Sequence, residues 1–246
     1  MVMSDRDDRM QAGHAEWLEH ARDQLRRADP VLARTITSQP DFDPRRWLRE
    51  LPSMDLFGAL LFQVVGQQLS VAATRSTIAR LEAGFGGRFP SAAEVLDSDP
   101  AQFRDAGLSW RKVGTLRDLA ARVSDGRLDP DALASQTDDE LIAALTEVPG
   151  IGPWTAQGAL IIALRREDVV LAGDLALRKA VRSVYGLDHL PTEEEMLTIS
   201  EKWRPYRSLA TAYLFSAAFE EAQKSAGRAE SPDADAAGRP VQEEAS

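Results

Sequence analysis

The chain contains no cysteine, which excludes disulfides, thiolate zinc sites and any cysteine-ligated iron–sulfur cluster at once. Its three histidines, His14, His20 and His189, are scattered, and no divalent-metal spacing of His, Asp and Glu stands out. The run Glu193-Glu-Glu195 reads instead as acids at a helix start, where the dipole favours them. No stretch approaches the ~18 apolar residues of a membrane span. The segment Met1 to Arg9 is charged rather than apolar, unlike a secretory leader, so a cytoplasmic protein is expected. Positive charge is also short: 29 Lys and Arg face 39 Asp and Glu, a net charge of −10. Read alone, that balance argues against a nucleic-acid partner, because phosphate neutralisation needs bases on the contact face.

Local distribution moderates the objection. Residues 220–246 hold seven acids and three bases, which removes −4 from the body. Arg104 to Arg122 carries five bases against two acids, and Arg165 to Arg182 five against three. A locally basic face on an acidic protein still binds DNA, with weaker long-range steering.

With 43% hydrophobic residues in 246, the chain has enough apolar surface for a core of one large domain or two small lobes. Residues 1–14 and 222–246 are rich in Asp, Glu, Ala, Gly and Ser and poor in large apolar side chains, which predicts disorder at both ends. Between them, over 15–221, apolar residues recur at helical spacing. Examples are Leu56, Leu60, Leu61, Val64 and Val65; Val113, Leu116, Leu119 and Val123; and Ala159, Leu160, Ile162, Ala163 and Leu164. Strand alternation is absent, so the expectation is an all-α globule of about ten to twelve helices.

The most specific stretch is Leu145-Thr-Glu-Val-Pro-Gly-Ile-Gly-Pro-Trp-Thr-Ala156. A Pro-Gly-Ile-Gly turn between two apolar helices permits close backbone approach at Gly150 and Gly152, because glycine accepts positive φ. Amides opening the next helix, including that of Thr155, would hold a phosphate without reading base sequence. Some twenty residues on, Leu171-Ala-Gly-Asp174 leads into Leu175-Ala-Leu-Arg-Lys-Ala-Val181. The simplest role for Asp174 is helix N-cap, worth ~1 kcal/mol.

These residues together resemble the helix-hairpin-helix DNA glycosylases, in particular the alkylated-purine branch of DNA-3-methyladenine glycosylases II. Three further segments carry the resemblance: Leu25-Arg-Arg-Ala-Asp-Pro-Val-Leu32, Val64-Val-Gly-Gln-Gln-Leu-Ser70 and Trp203-Arg-Pro-Tyr-Arg-Ser-Leu-Ala210. The resemblance runs from about Glu16 to Phe219. It implies two helical lobes with the active cleft between them, a helix-hairpin-helix over about 138–163, and none of the N-terminal β domain found in some bacterial members.

Carried over position by position, the resemblance makes Asp174 the catalytic carboxylate and Trp154 a platform for an extruded base. Where bifunctional relatives have an attacking lysine, this chain has Trp154, so a monofunctional enzyme that leaves an abasic site is implied. Phe215, with Tyr213 beside it, falls where the family places another pocket aromatic, whose ring face favours a cationic base. Gln67, Gln68 or Leu69 is the wedge that fills the gap left by a flipped nucleotide. Lys112 and Arg178 join Gly150, Gly152 and Thr155 as expected DNA contacts. The backbone carbonyls of Thr146, Val148 and Ile151 match positions that hold sodium or potassium in relatives, and no other cofactor is expected. The implied partner is double-stranded DNA containing alkylated bases, bound by a monomer, nucleoid-associated if the source is bacterial.

Two departures bear on the pocket. Some bacterial members have a second aspartate where this chain has Gly173, and an aromatic where it has Gly158. The competing reading is a non-catalytic helix-hairpin-helix DNA-binding module in which Asp174 only caps its helix.

Overall fold

The computed structural model describes residues 2–229 apart from 45, 47, 49, 50, 52, 53, 130, 131 and 134, with side chains described over 13–220. Among the described residues there is no strand, as the helical periodicity predicts. The helices in chain order are α1 (Val2–Ala28), α2 (Pro30–Thr37), α3 (Leu56–Gly66), α4 (Val71–Ala83), α5 (Ala92–Asp97), α6 (Pro100–Asp105), α7 (Trp110–Ser124), α8 (Asp138–Thr146), α9 (Pro153–Ile162), α10 (Leu175–Tyr185), α11 (Glu193–Ser200) and α12 (Arg207–Ala229). A 3₁₀ turn, Glu201–Trp203, joins the last two. No described helix is long and apolar enough to cross a membrane.

Most of these helices start on a side chain suited to the task. Asp55, Ser70 and Ser109 each accept from an amide in the first turn of α3, α4 and α7. Reciprocal capping boxes, Ser91 with Glu94, Thr137 with Glu140 and Thr192 with Glu195, open α5, α8 and α11, each satisfying two backbone donors. The first and last helices reach into the two terminal segments set apart on composition. Helix α1 begins at Val2 and α12 continues to Ala229, where composition alone predicts disorder for 1–14 and from 222 onward. Each extension prolongs a helix whose inner turns are buried, at Leu18, Ala21 and Leu25 or at Ala210, Tyr213 and Leu214. Elongating an anchored helix avoids the nucleation cost, and Ala, Gln, Arg and Lys favour it. Residue 1 and residues 230–246 of the acidic tail lie outside the described residues.

Two apolar cores divide the molecule. One is built from a continuous stretch between Leu48 and Val169, centred on α3, α7, α8 and α9. The other joins the two ends of the chain, Leu18 to Ile36 with Val170 to Leu214. The change of lobe thus falls between Val169 and Val170. It is fastened to α12: the Ser208 hydroxyl accepts from the Val169 amide at 3.1 Å, and Arg207 Nε donates to Asp168 Oδ1 at 2.7 Å.

The second core contains a buried acid. Asp29, wholly inaccessible, takes Trp203 Nε1 at 2.9 Å, Lys202 Nζ at 3.1 Å and the Tyr185 hydroxyl on one oxygen. The other oxygen caps α2 through the Val31 and Leu32 amides. Burial alone pushes this carboxyl up, but the bonds from Tyr185, Trp203, Lys202 and the Leu32 amide together hold it below its ordinary value.

Candidate active site

The turn from α8 to α9 has one position that only glycine can fill. Gly150 sits at φ +92, and a Cβ there would stand 2.2 Å from Thr115 Oγ1. The same Thr115 hydroxyl donates to the Pro149 carbonyl at 2.9 Å, clamping the turn onto α7. Gly152, by contrast, faces open space. It is the N-cap of α9 and supplies no side-chain cap bond, so the amides that open α9 are not met by a cap. A helix start of this kind draws an anion; of the two glycines only Gly150 has the positive φ that the sequence expects, Gly152 lying at φ −96.

Asp174 caps α10, and its remaining capacity is turned outward. Oδ1 accepts from the Leu177 amide at 2.7 Å, and Oδ2 accepts from Trp154 Nε1 at 2.8 Å. Asp174 is half-buried between exposed Gly173 and Leu175. Trp154 is 40% exposed, so its indole lies at the surface rather than in either core. The bond joins α9, which opens from the hairpin in the first lobe, to α10 in the second. Two donors fix the orientation of the carboxylate and leave it lone pairs for a further partner. A second carboxylate lies close by: Glu193 Oε1 is 2.9 Å from where a Cβ on Gly173 would stand.

The loop after α3 is held from both sides. Lys112 Nζ donates to the Val65 and Gln67 carbonyls at 2.8 and 2.7 Å, and Gln67 Nε2 donates to the Gly150 carbonyl and to Thr155 Oγ1, both at 3.0 Å. These bonds engage three of the residues named from the sequence. Lys112 is buried with its ammonium spent on carbonyls, and burial, with the Arg111 charge beside it, lowers its pKa, so it positions the loop instead of meeting a phosphate. Thr155 is only 3% exposed and its hydroxyl faces the loop. Gln67 is tied to the hairpin, while Gln68, exposed and held at φ +57, and Leu69, 39% exposed, stand at the tip.

Tyr213 also departs from expectation. It is fully buried, accepts from Arg22 Nε at 2.6 Å and packs edge-on against Phe42, which makes it a core residue with no face for a ligand. Phe215 is half-buried on the same helix. Arg178, half-buried, donates Nε to the Pro191 carbonyl at 2.6 Å and so braces the entry to α11. Most of the bases in the two basic stretches are likewise structural. Arg117 bonds the Val95 and Ser98 carbonyls, Arg122 pairs with Asp118, Arg165 bonds Leu48 and Arg166 pairs with Asp138. Arg111, Lys179 and Arg182 remain exposed. Buried carbonyls competing for guanidinium groups are invisible to a count of charges.

No group of His, Asp and Glu among the described residues forms a metal-binding cluster. For a monovalent ion the relevant donors are neutral carbonyls. Among the described residues those of Thr146 and Ile151 accept no hydrogen bond, and that of Val148 accepts one, from the Ile151 amide at 3.0 Å. Oxygens with lone pairs to spare fit a hard cation.

Residues 62–205 match the HhH-GPD superfamily base excision DNA repair protein family. The chain is 32% identical over 169 residues to DNA-3-methyladenine glycosylase 1 of Schizosaccharomyces pombe, covering 68% of this chain and 74% of that one. It is 32% identical over 196 residues to the DNA-3-methyladenine glycosylase of Saccharomyces cerevisiae, covering 76% and 66%. Among solved structures, the S. pombe 3-methyladenine DNA glycosylase in complex with abasic DNA superposes with a TM-score of 0.72 at 29% identity, over 80% of this chain and 95% of that one. The DNA-3-methyladenine glycosidase of Bacillus halodurans gives 0.63 at 29%, over 78% and 91%. With its hairpin, capping aspartate and paired helical lobes, the chain belongs to the HhH-GPD superfamily of base excision DNA repair proteins.

Proposed function

We propose that the chain is a monofunctional DNA glycosylase that extrudes an alkylated purine, 3-methyladenine or 7-methylguanine, and hydrolyses its N-glycosidic bond to leave an abasic site. The observation that carries this is the Trp154 indole donating to Asp174 Oδ2 at 2.8 Å beside the glycine turn. One short bond ties an exposed aromatic plane to a fixed anion. Breaking an N-glycosidic bond builds positive charge on the deoxyribose, and the Asp174 carboxylate stabilises that charge while orienting the attacking water. An alkylated purine already carries positive charge and departs without a strong general acid. Trp154 offers the face on which it stacks, and a cationic ring over an indole gains ~0.5–2 kcal/mol. Position 154 holds no lysine, and Lys112 is spent on the loop, so the chain supplies no amine for a Schiff base at this place. The abasic duplex bound by the fission-yeast relative is the product such a reaction leaves. The carbonyls of Thr146, Val148 and Ile151 would hold a sodium or potassium ion, whose positive charge would favour a phosphate at the turn. Cellular DNA is then the place of action.

The direct test is incubation with a methylated duplex and identification of the freed purines by mass. Free methylated purine with an unbroken, alkali-labile strand is expected; duplex binding without release would sink the enzyme assignment in favour of a binding module. Borohydride treatment should trap no covalent adduct.

Two variants probe the assigned parts. Trp154→Phe keeps an aromatic plane but removes the N–H that fixes Asp174; a bond to a charged group is worth ~1.5–3 kcal/mol, so release should slow by about tenfold or more. An unchanged rate would mean that the bond does not position the carboxylate. For the wedge, Gln68→Ala should slow release from duplex about tenfold and from single strands much less, since only stacked bases need extrusion. Equal losses on both substrates would remove Gln68 from that role and leave Leu69.

A further inference from the structure

Helix α9 carries Trp154, Gly158 and Ile161 at spacings of four and three, hence on one face. Ile161 lines a cavity together with Leu209 and Ala212 of α12. That face therefore looks across the groove between the lobes toward the helix that bears Phe215, one turn beyond Ala212. Gly158 is buried although it has no side chain. What covers it is Gln63 of α3: a Cβ at 158 would meet Gln63 Nε2 at 2.2 Å, Cδ at 2.7 Å and Oε1 at 3.1 Å. A side chain at 158 and Gln63 in this position exclude each other, so the amide occupies that part of the wall.

Gln63 is out of character for its helix. Helix α3 reads LFGALLFQVVG, with no other polar side chain and eight buried positions around it. Gln63 is half-buried, and among the described residues its amide makes no hydrogen bond. Its donor and acceptor are available to a ligand on the face that Trp154 shares.

We infer that Gln63 is a specificity-determining residue that selects purines retaining the adenine N6–H donor and N7 acceptor. This rests on the proposal that an alkylated purine is extruded beside Trp154 and Asp174. A primary amide matches that edge with two hydrogen bonds. Adenine methylated at N3 keeps both groups. Guanine methylated at N7 presents a methyl in place of the acceptor and a carbonyl in place of the donor, so the amide gains at most one bond.

The test uses Gln63→Met, close in volume and helix-favouring, and Gln63→Ala, with release of 3-methyladenine and 7-methylguanine from one methylated duplex measured separately. The expected result is a fall of about tenfold in the 3-methyladenine to 7-methylguanine rate ratio in both variants, or the first appearance of 7-methylguanine if the unaltered protein releases none. A purely structural role would slow both purines together and leave the ratio in place. A ratio unchanged within about twofold in Gln63→Met, while the unaltered protein releases methylated purine, overturns this inference alone. Absence of release by the unaltered protein overturns the glycosylase proposal beneath it.

Discussion

Asp174→Asn should lower single-turnover release of methylated purine on the order of a thousandfold, the scale seen when one preorganised electrostatic contact to a transition state is removed, while affinity for an abasic-site duplex changes little. The reason for the separation is geometric. Asparagine keeps an oxygen that accepts from the Leu177 amide, now at 2.7 Å, and asparagine caps helices about as well as aspartate. The start of α10 therefore survives, and so does the surface around it. What disappears is the negative charge, which matters only while positive charge develops on the sugar. A variant that released base at the normal rate would show that Asp174 does no more than cap its helix. A variant that lost both activity and folding would be recognised by its melting curve and replaced by Asp174→Ser, which also caps.

The second large effect lies in the core formed by the chain ends. Asp29→Ala should destabilise the fold by about 3–5 kcal/mol, the cost of removing one partner from a buried charged network, and lower Tm by roughly 6–20 °C for a domain of this size. Alanine would remove the oxygen on which the Trp203 indole N–H, the Tyr185 hydroxyl and the Lys202 ammonium converge, and would uncap α2. The pH dependence has a definite sign. The folded-state value of Asp29 lies below its unfolded value, so its contribution is complete above the ordinary carboxylate range and is lost as pH falls through the folded value. The Tm gap between the unaltered protein and the variant should thus be widest near neutrality and narrow in acid. A gap that widens on acidification would contradict the assignment of an ionised carboxylate.

Asp29 and Trp203 also mark what can be read from residues alone. They lie in two separate stretches, Leu25 to Leu32 and Trp203 to Ala210, that both match one family, and the fold explains the pairing: the two stretches form one core across 174 residues of sequence. The all-helical class is legible because the apolar period of α3, α7 and α9 is strong. The glycine turn is legible because Gly150 has no substitute at φ +92. Asp174 and Trp154 are legible as positions, and the hydrogen bond between them is not, since it joins helices from different lobes. The side chains of Lys112 and Gln67 look like DNA contacts in a linear text because they are polar and close to a motif. Their partners are backbone carbonyls and the Thr155 hydroxyl, chosen by packing that spacing does not encode. Tyr213 and Phe215 differ only by which side of α12 faces the core, and Tyr213 falls inside because Arg22 supplies a partner for its hydroxyl. Gln63 offered one local signal, a lone amide in an otherwise apolar helix.

Affinity for two stable abasic analogues, one with a protonated pyrrolidine nitrogen near the anomeric position and one with a neutral tetrahydrofuran ring, measures the claim that a fixed carboxylate stabilises positive charge on the sugar. A transition-state mimic gains wherever the site is complementary to developing charge. The cationic duplex should bind at least about tenfold more tightly than the neutral one, and Asp174→Asn should erase that difference. Equal affinities for the two analogues in the unaltered protein would contradict the account.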